Sequence, residues 1–158
     1  MRVYVAILVG LLFLGCSTKQ NLQNSLENEL KNINLNSKEA KELSFKAQEF
    51  ANELNELFDI STPPLFHNFL VNIGYKDSGL CYEFAYSMYH KISALNHKSY
   101  DLIVIKANEG EYFEHTAVAI CPKNEILEEC IVLDAWRDSK NIYYAKIKND
   151  KYIWKKKN

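Results

Sequence analysis

Three residues of this chain have the types and the order that catalysis by a sulfur nucleophile requires. Cys81 follows a glycine-containing turn, His115 opens a strand-like segment, and Asp134 ends an apolar run. A thiol nucleophile needs a base that removes its proton, and the base needs a third group that orients it. We therefore predict Cys81 as the nucleophile, His115 as the base and Asp134 as the residue that orients His115.

The residues after Cys81 predict the element that carries it. Apolar side chains recur at helical spacing from Ala85 to Leu95, which indicates a helix with one buried face and Cys81 in its first turn. The unpaired N–H groups and the positive end of the dipole at such a position favour a thiolate over a thiol. The alternative is that Cys81 is a small residue of the hydrophobic core, as most free cysteines are.

Two helices are predicted before this one. The first begins with Ser37 as its N-cap and ends before Ser61-Thr62-Pro63-Pro64, because proline cannot continue a helix. Pro64 is suited to the first turn of the second helix, which Gly74 ends.

Beyond Asn96 the apolar residues change from helical spacing to short runs that are typical of strands. Helices followed by an antiparallel sheet predict an α+β domain, with the cysteine helix packed on the sheet. His115 and Asp134 are then expected on neighbouring strands that face the start of that helix. The predicted strands are Tyr100–Lys106, Tyr112–Ile120, Cys130–Leu133, Asn141–Ile147 and Tyr152–Trp154.

The N-terminus has the pattern of an export signal. Arg2 precedes an apolar run, which ends at Leu14-Gly15-Cys16 with a small residue directly before a cysteine. The pattern resembles a bacterial lipoprotein signal peptide, which implies that residues 1–15 are removed and that Cys16 carries the lipid. The alternative is a plain secretory signal with an incidental cysteine.

The predicted organisation is a signal peptide at 1–15, a tether at 16–36 and a domain at 37–158. The tether is rich in Asn, Lys, Gln and Glu, and its apolar residues are too sparse to order a helix alone. Ser17 is not the aspartate that commonly retains lipoproteins at the inner membrane. For a Gram-negative cell, this favours the periplasmic face of the outer membrane over the inner membrane.

The composition argues against several kinds of partner. Lys and Arg number 19 against 20 Asp and Glu, so the net charge of -1 gives no field that attracts nucleic acid. The four histidines do not cluster at metal-ligand spacing, and no pair of cysteines forms Cys-x-x-Cys. We therefore expect no metal and no cofactor.

The remaining cysteines are expected to differ in role. Cys121 and Cys130 flank a loop between two predicted neighbouring strands, where they can form a disulfide in an exported protein. With Cys16 acylated, Cys81 is the one free thiol. A free thiol in an oxidising compartment is a liability unless it is buried or used.

Three segments together resemble the papain-fold superfamily of cysteine hydrolases, in particular its transglutaminase-like and NlpC/P60-like branches. They are Gly79-Leu80-Cys81, His115-Thr116-Ala117-Val118-Ala119-Ile120 and Val132-Leu133-Asp134-Ala135-Trp136. The wider run from Pro63 to Trp136 is also similar to a group of bacterial lipoproteins. The resemblance implies a papain-like fold and a thiol hydrolase or acyl-transferase of amide bonds. Peptides, including cell-wall peptides, are the substrates that it suggests.

Two positions depart from that superfamily. Leu80-Cys81-Tyr82-Glu83 stands where NlpC/P60 enzymes have Asp-Cys-Ser-Gly. Tyr75 stands where papain-type enzymes carry a glutamine that stabilises the oxyanion. The backbone N–H of Cys81 can supply one oxyanion donor, and Tyr75 and Asn72 are the candidates for the second.

Several neighbouring residues have weaker expectations. We predict a surface or capping role for His67 and Asn68, with support of the catalytic residues as the alternative. Glu83 is expected to be solvated, with tuning of the site as its alternative, and Trp136 is expected to pack as a cover over Asp134. The alternative function belongs to another class: a non-catalytic envelope lipoprotein that uses the same fold for binding or assembly.

Overall fold

The computed structural model describes residues 20–157, which form four helices and one five-stranded antiparallel sheet. The predicted α+β class, with helices before an antiparallel sheet, is confirmed. The predicted signal peptide and Cys16 lie outside the described residues. Within residues 20–157, no helix combines the length and the apolar character needed to cross a membrane. The helices are α1 (20–32), α2 (Ser37–Leu57), α3 (Pro64–Asn72) and α4 (Cys81–Ser93).

Helix α1 occupies most of the expected tether, so residues 20–36 differ from that prediction. Leu26 and Leu30 are fully buried, and Ile33 and Leu35 continue into the same hydrophobic core. The apolar residues of this segment are few, but their spacing places them on one side of the helix. Burial against the rest of the domain stabilises a helix that would be marginal in isolation.

Helix α2 begins at Ser37, but its N-cap is Asn36. The Oδ1 atom of Asn36 accepts hydrogen bonds from the backbone N–H of Lys38 at 2.9 Å and of Glu39 at 3.4 Å. The prediction of Ser37 as the cap was therefore wrong by one residue, because the preceding asparagine offers an equally suitable acceptor. Helix α4 ends at Ser93, close to the predicted Leu95.

The sheet has the strand order β4-β3-β2-β1-β5, and every neighbouring pair is antiparallel. Strand β2 is central and is buried along its whole length. The strand that begins with His115 is therefore covered on both faces. The strands are β1 (Tyr100–Ala107), β2 (His115–Pro122), β3 (Ile131–Asp134), β4 (Tyr143–Lys146) and β5 (Lys155–Lys156).

Alternate side chains of β2 enter two different clusters, as the period of a strand requires. Val118 and Ile120 join the larger core, which also contains the buried faces of α1, α2 and α4. Ala117 and Ala119 join a smaller core on the other side, which contains Trp154. The helices therefore cover one face of the sheet and the C-terminal segment covers the other.

Two strand predictions differ from the structure near the site. Strand β2 begins at His115 rather than at Tyr112, whose side chain is 90% exposed in the loop before the strand. Residues 152–154 are not a strand. Tyr152 and Trp154 instead pack their rings against His115, and the short β5 follows them.

Candidate active site

Cys81 is the first residue of α4 and is only 8% exposed. Its Sγ atom lies 3.9 Å from the carbonyl oxygen of Glu114, the residue directly before β2. The packing of α4 on β2 therefore brings the sulfur to the end of the strand at which His115 begins.

Glu83 closes the N-terminus of α4. Its Oε2 atom accepts hydrogen bonds from the backbone N–H groups of Gly79 at 2.8 Å and of Leu80 at 2.9 Å. A carboxylate in the first turn also interacts favourably with the helix dipole. The sequence suggested a solvated Glu83, whereas the structure gives it a half-buried capping role in the turn before Cys81.

His115 and Asp134 form a buried pair at the adjacent ends of β2 and β3. The register of the two strands, with Val118 opposite Leu133, places the start of β2 next to the end of β3. The Nε2 atom of His115 lies 2.6 Å from Oδ2 of Asp134, and each residue is 2% exposed. This bond engages Nε2 and leaves Nδ1 as the ring nitrogen that can face a thiol.

Asp134 accepts several further hydrogen bonds. Its Oδ1 receives the backbone N–H groups of Trp136 and Arg137, each at 3.1 Å, and its Oδ2 receives Nε of Arg137 at 3.0 Å. Burial raises the pKa of Asp134, but the charge and hydrogen bond of His115, together with Arg137, outweigh burial and hold that pKa below its ordinary value. The carboxyl group is therefore ionised at neutral pH.

The imidazole of His115 is protonated at neutral pH. Burial lowers the pKa of His115, but the charge and hydrogen bond of Asp134 and the neighbouring Cys81 raise it, with a net pKa of about 9. An imidazolium beside a cysteine stabilises the thiolate form of that cysteine.

Three aromatic rings enclose His115. The ring centroids of Trp136, Tyr152 and Trp154 lie 5.1, 5.0 and 5.6 Å from that of His115. Aromatic faces attract a cationic ring and exclude water from it. Sequence reasoning missed Tyr152 and Trp154 because it treated their alternation as a strand, although alternation also places them on one side of an extended segment.

Arg137 and Asp150 form an ion pair next to the His115–Asp134 pair, and sequence reasoning missed both. The Nη1 and Nη2 atoms of Arg137 donate to the two carboxylate oxygens of Asp150 at 2.8 and 3.0 Å. Nε1 of Trp154 donates to the same carboxylate at 2.8 Å. A continuous chain of hydrogen bonds therefore runs from the C-terminal segment through Arg137 to Asp134. No sequence pattern signalled this chain.

A cavity of about 320 Å³ adjoins these residues, and both Cys81 and His115 line it. Its other walls come from three places. Helix α3 contributes Leu65, Asn68, Phe69 and Asn72, the loop before β2 contributes Tyr112, Phe113 and Glu114, and the remaining wall is Trp136 and Tyr152. The lining is mainly apolar and aromatic, with two asparagine side chains among the polar groups.

The two oxyanion candidates are placed differently. Asn72 lines the cavity, whereas Tyr75 is absent from its walls and its side chain is 76% exposed. The structure therefore does not bring Tyr75 to the site, because the chain turns away at Gly74, whose φ of +75° ends α3.

The roles expected for His67 and Asn68 also differ from the structure. His67 is fully buried rather than at the surface, and it is the one buried residue of α3. Asn68 lines the cavity, and its Oδ1 atom is buried without a hydrogen-bond partner among the described residues.

The cysteines downstream of the site are joined. A disulfide links Cys121 at the end of β2 to Cys130 just before β3, where the register places the two residues opposite each other with a Cα–Cα distance of 4.3 Å. Cys81 is free. Within residues 20–157, no group of three or more His, Cys, Asp or Glu side chains is arranged to hold a metal ion.

The chain finds no match among protein-family models, curated proteins or solved structures. Its functional assignment therefore depends on the site itself. A thiol at a helix N-terminus, an imidazolium oriented by a buried carboxylate, and an open cavity beside both are the parts that nucleophilic catalysis by sulfur requires.

Proposed function

We propose that this protein is a thiol hydrolase or acyl-transferase that acts on amide bonds, with Cys81, His115 and Asp134 as its catalytic triad. The observation that carries the proposal is the buried His115–Asp134 pair, 2.6 Å apart, at the same cavity as Cys81. The Nε2–Asp134 bond orients the imidazole so that Nδ1 is the atom that exchanges protons with the sulfur and the substrate.

The first half of the reaction forms a thioester. In the reactive form of the site, the one proton shared by Cys81 and His115 is on the imidazole, and the sulfur turns from the Glu114 carbonyl oxygen towards His115 as a thiolate. The thiolate then attacks the carbonyl carbon of the amide, and a tetrahedral oxyanion forms. As that intermediate breaks down, the C–N bond is cleaved and the imidazolium of His115 gives its proton to the leaving amine.

The second half of the reaction releases the acyl group. A water molecule or an acceptor amine loses a proton to the now neutral His115 and attacks the thioester carbon. The C–S bond breaks, which releases the acyl product and restores the Cys81 thiolate beside the imidazolium of His115. Water gives hydrolysis and an amine gives acyl transfer, with the same residues in the same roles.

The oxyanion needs donors that are already in place. The backbone N–H of Cys81 is one, because the first residue of a helix has no intrahelical acceptor for its N–H. The side-chain amide of Asn72 is our candidate for the second donor, since it lines the cavity and Tyr75 does not.

The finer fold assignment and the location are also proposals. The order of the triad residues along the chain, with the cysteine on a helix before the sheet, supports a papain-like fold of the transglutaminase-like or NlpC/P60-like kind. The Leu14-Gly15-Cys16 sequence supports a lipid anchor at Cys16. The enzyme would then act at the cell envelope on peptides or cell-wall peptides, and we favour the periplasmic face of the outer membrane.

The decisive experiment measures the alkylation of Cys81 by iodoacetamide in the folded chain from pH 5 to pH 9. In the wild type, the reaction should persist well below neutral pH, because His115 stabilises the thiolate. In His115→Ala it should require a higher pH, because the imidazolium that stabilises the thiolate is absent. Thermal unfolding curves of both proteins verify that they are folded.

A parallel assay of amide hydrolysis and of amine-dependent acyl transfer, with Cys81→Ser as the inactive control, separates the two reaction types. Alkylation that occurs only at alkaline pH, and equally in wild type and His115→Ala, contradicts the enzymatic proposal. In that case the non-catalytic envelope lipoprotein becomes the better assignment.

A further inference from the structure

His67 connects two loops on either side of α3. Its Nδ1 atom accepts a hydrogen bond from the backbone N–H of Ser61 at 3.0 Å, and its Nε2 atom lies 2.9 Å from the carbonyl oxygen of Ser78. A ring that accepts at Nδ1 carries its proton at Nε2, so His67 is neutral and donates to Ser78. Both ring nitrogens are therefore used, and both partners are backbone groups.

The His67 ring approaches Gly79, in the turn before Cys81, unusually closely. Gly79 has a φ of +104°, and a Cβ atom at this position would lie 2.3 Å from Nε2 of His67. Only glycine accepts both the backbone angle and the approach of the ring. The segment 78–80 is thus held by His67 on one side and by Glu83 on the other, directly before Cys81.

Helix α3 has little else that fastens it to the domain. His67 is its one buried residue, whereas Leu65, Phe66 and Phe69 are 60%, 48% and 54% exposed. The same helix supplies a wall of the cavity through Leu65, Asn68, Phe69 and Asn72. The two hydrogen bonds of His67 therefore help to fix the position of this wall relative to the sulfur.

We propose that His67 is a positioning residue for the reaction, which holds the Cys81 turn and the α3 wall of the cavity in register with His115. This inference rests on the proposed function. His67 touches neither the substrate nor the reacting atoms; it acts through the carbonyl of Ser78 and the backbone of Gly79. A buried polar side chain with two satisfied backbone partners fixes a loop more tightly than an apolar residue of similar volume, because each bond specifies a direction.

The test compares His67→Leu, which removes both hydrogen bonds, with His67→Gln, whose amide can replace a donor and an acceptor. The readout is the ratio of the iodoacetamide alkylation rates of Cys81 at pH 6 and pH 9. Changes in the accessibility of the sulfur affect both rates alike, so the ratio reports the pairing of Cys81 with His115. A purely structural loss of stability would not change it in the folded protein.

We expect His67→Leu to lower this ratio about 10-fold or more, because small displacements of a catalytic group have effects of this size. His67→Gln should stay within about 3-fold of the wild type, because its amide can replace both hydrogen bonds. The loss of even one hydrogen bond would correspond to about a tenfold change in the ratio. Gly79→Ala is a second variant that keeps every hydrogen-bonding group and pushes the loop away from the ring. It should also lower the ratio.

Three outcomes overturn the proposal in different ways. A wild-type ratio in folded His67→Leu or Gly79→Ala contradicts the positioning role alone, as does a His67→Gln ratio as low as that of His67→Leu. A wild-type protein whose own ratio is that of a free thiol contradicts the proposed function and the positioning role with it. If His67→Leu does not fold, the His67→Gln and Gly79→Ala pair decides.

Discussion

The Nε2 atom of His115 lies 2.6 Å from Oδ2 of Asp134, and the two side chains are almost completely enclosed by protein. A buried ion pair of this kind is stable only when the remaining polar atoms are also satisfied. Two backbone N–H groups and Arg137 satisfy the carboxylate, and three aromatic rings enclose the imidazole. Breaking the pair therefore affects both the chemistry and the stability of the domain.

Replacement of Asp134 by Asn should weaken the site without abolishing it. The amide can still accept the Nε2 proton, but the negative charge that raises the pKa of His115 is lost, and burial then favours the neutral imidazole. We expect alkylation of Cys81 at pH 6 to fall by about 10-fold, less than in His115→Ala, because orientation is partly retained. Asp138→Asn, an exposed carboxylate of the same turn, is the matched control and should behave like the wild type.

The stability of the domain should decrease as the pH rises from about 6.5 to about 9. The pKa of His115 is raised to about 9, so its stabilisation is fully present below the ordinary value of 6.5 and is lost as the pH passes through about 9. The expected loss is about 3 kcal/mol in the free energy of unfolding. Urea unfolding at pH 6 to 10 measures it, and a His115→Gln protein with the same slope would contradict this assignment.

Acid should also destabilise the His115–Asp134 pair, through protonation of Asp134. The pKa of Asp134 lies below its ordinary value, so its stabilisation is present above about pH 4 and is lost as the pH falls further. In the wild type, the urea midpoint of unfolding should therefore decrease when the pH is lowered below about 4. This decrease should be smaller in Asp134→Asn. An equal decrease of the urea midpoint at low pH in both proteins would assign acid unfolding to other carboxylates.

The disulfide between Cys121 and Cys130 should contribute on the order of 2 to 3 kcal/mol to stability. It closes a loop with a sequence separation of 9, and a loop of that length corresponds to this value in the chain-entropy model. The Cys121→Ala/Cys130→Ala double variant, compared with the wild type by urea unfolding, tests the value. Peptide mapping without reductant should recover the two cysteines in one linked fragment, and recovery as free thiols would exclude the bond.

Helix α1 should behave as a structural part of the domain rather than as a tether. Leu30 is fully buried, and truncation of a buried leucine to alanine destabilises a protein by about 2 to 5 kcal/mol. Leu30→Ala should therefore lower the urea midpoint markedly, whereas Leu57→Ala, at a position that is 71% exposed, should change it little. Equal effects of the two substitutions would restore the tether interpretation.

The lipid anchor at Cys16 remains a prediction from the sequence, since this residue lies outside the described part of the chain. Cys16→Ser should release the protein from the membrane fraction or leave its signal peptide uncleaved. Fractionation and intact-mass measurement of the mature protein distinguish these results. Normal processing with unchanged membrane association would argue against lipidation.

The sequence by itself determined the order of the elements from α2 to β4 and the candidate nucleophile, base and orienting residue. This was possible because helical and strand periodicities differ, and because proline and glycine mark the ends of elements. The residue types Cys, His and Asp limit the chemistry to nucleophilic catalysis by sulfur. The same patterns predicted that these residues lie at the starts and ends of their elements. The α+β class followed from the local signals alone.

Tertiary structure decided which other residues join the site. Tyr152 and Trp154 reach His115, and Asp150 reaches Arg137, only because the C-terminal segment covers the far face of the sheet. His67 was expected at the surface, because a histidine in a short helix carries no local signal of burial. Its burial depends on two backbone partners in loops on either side of α3. Contacts of this kind are set by how the elements pack, and periodicity within one element does not encode them.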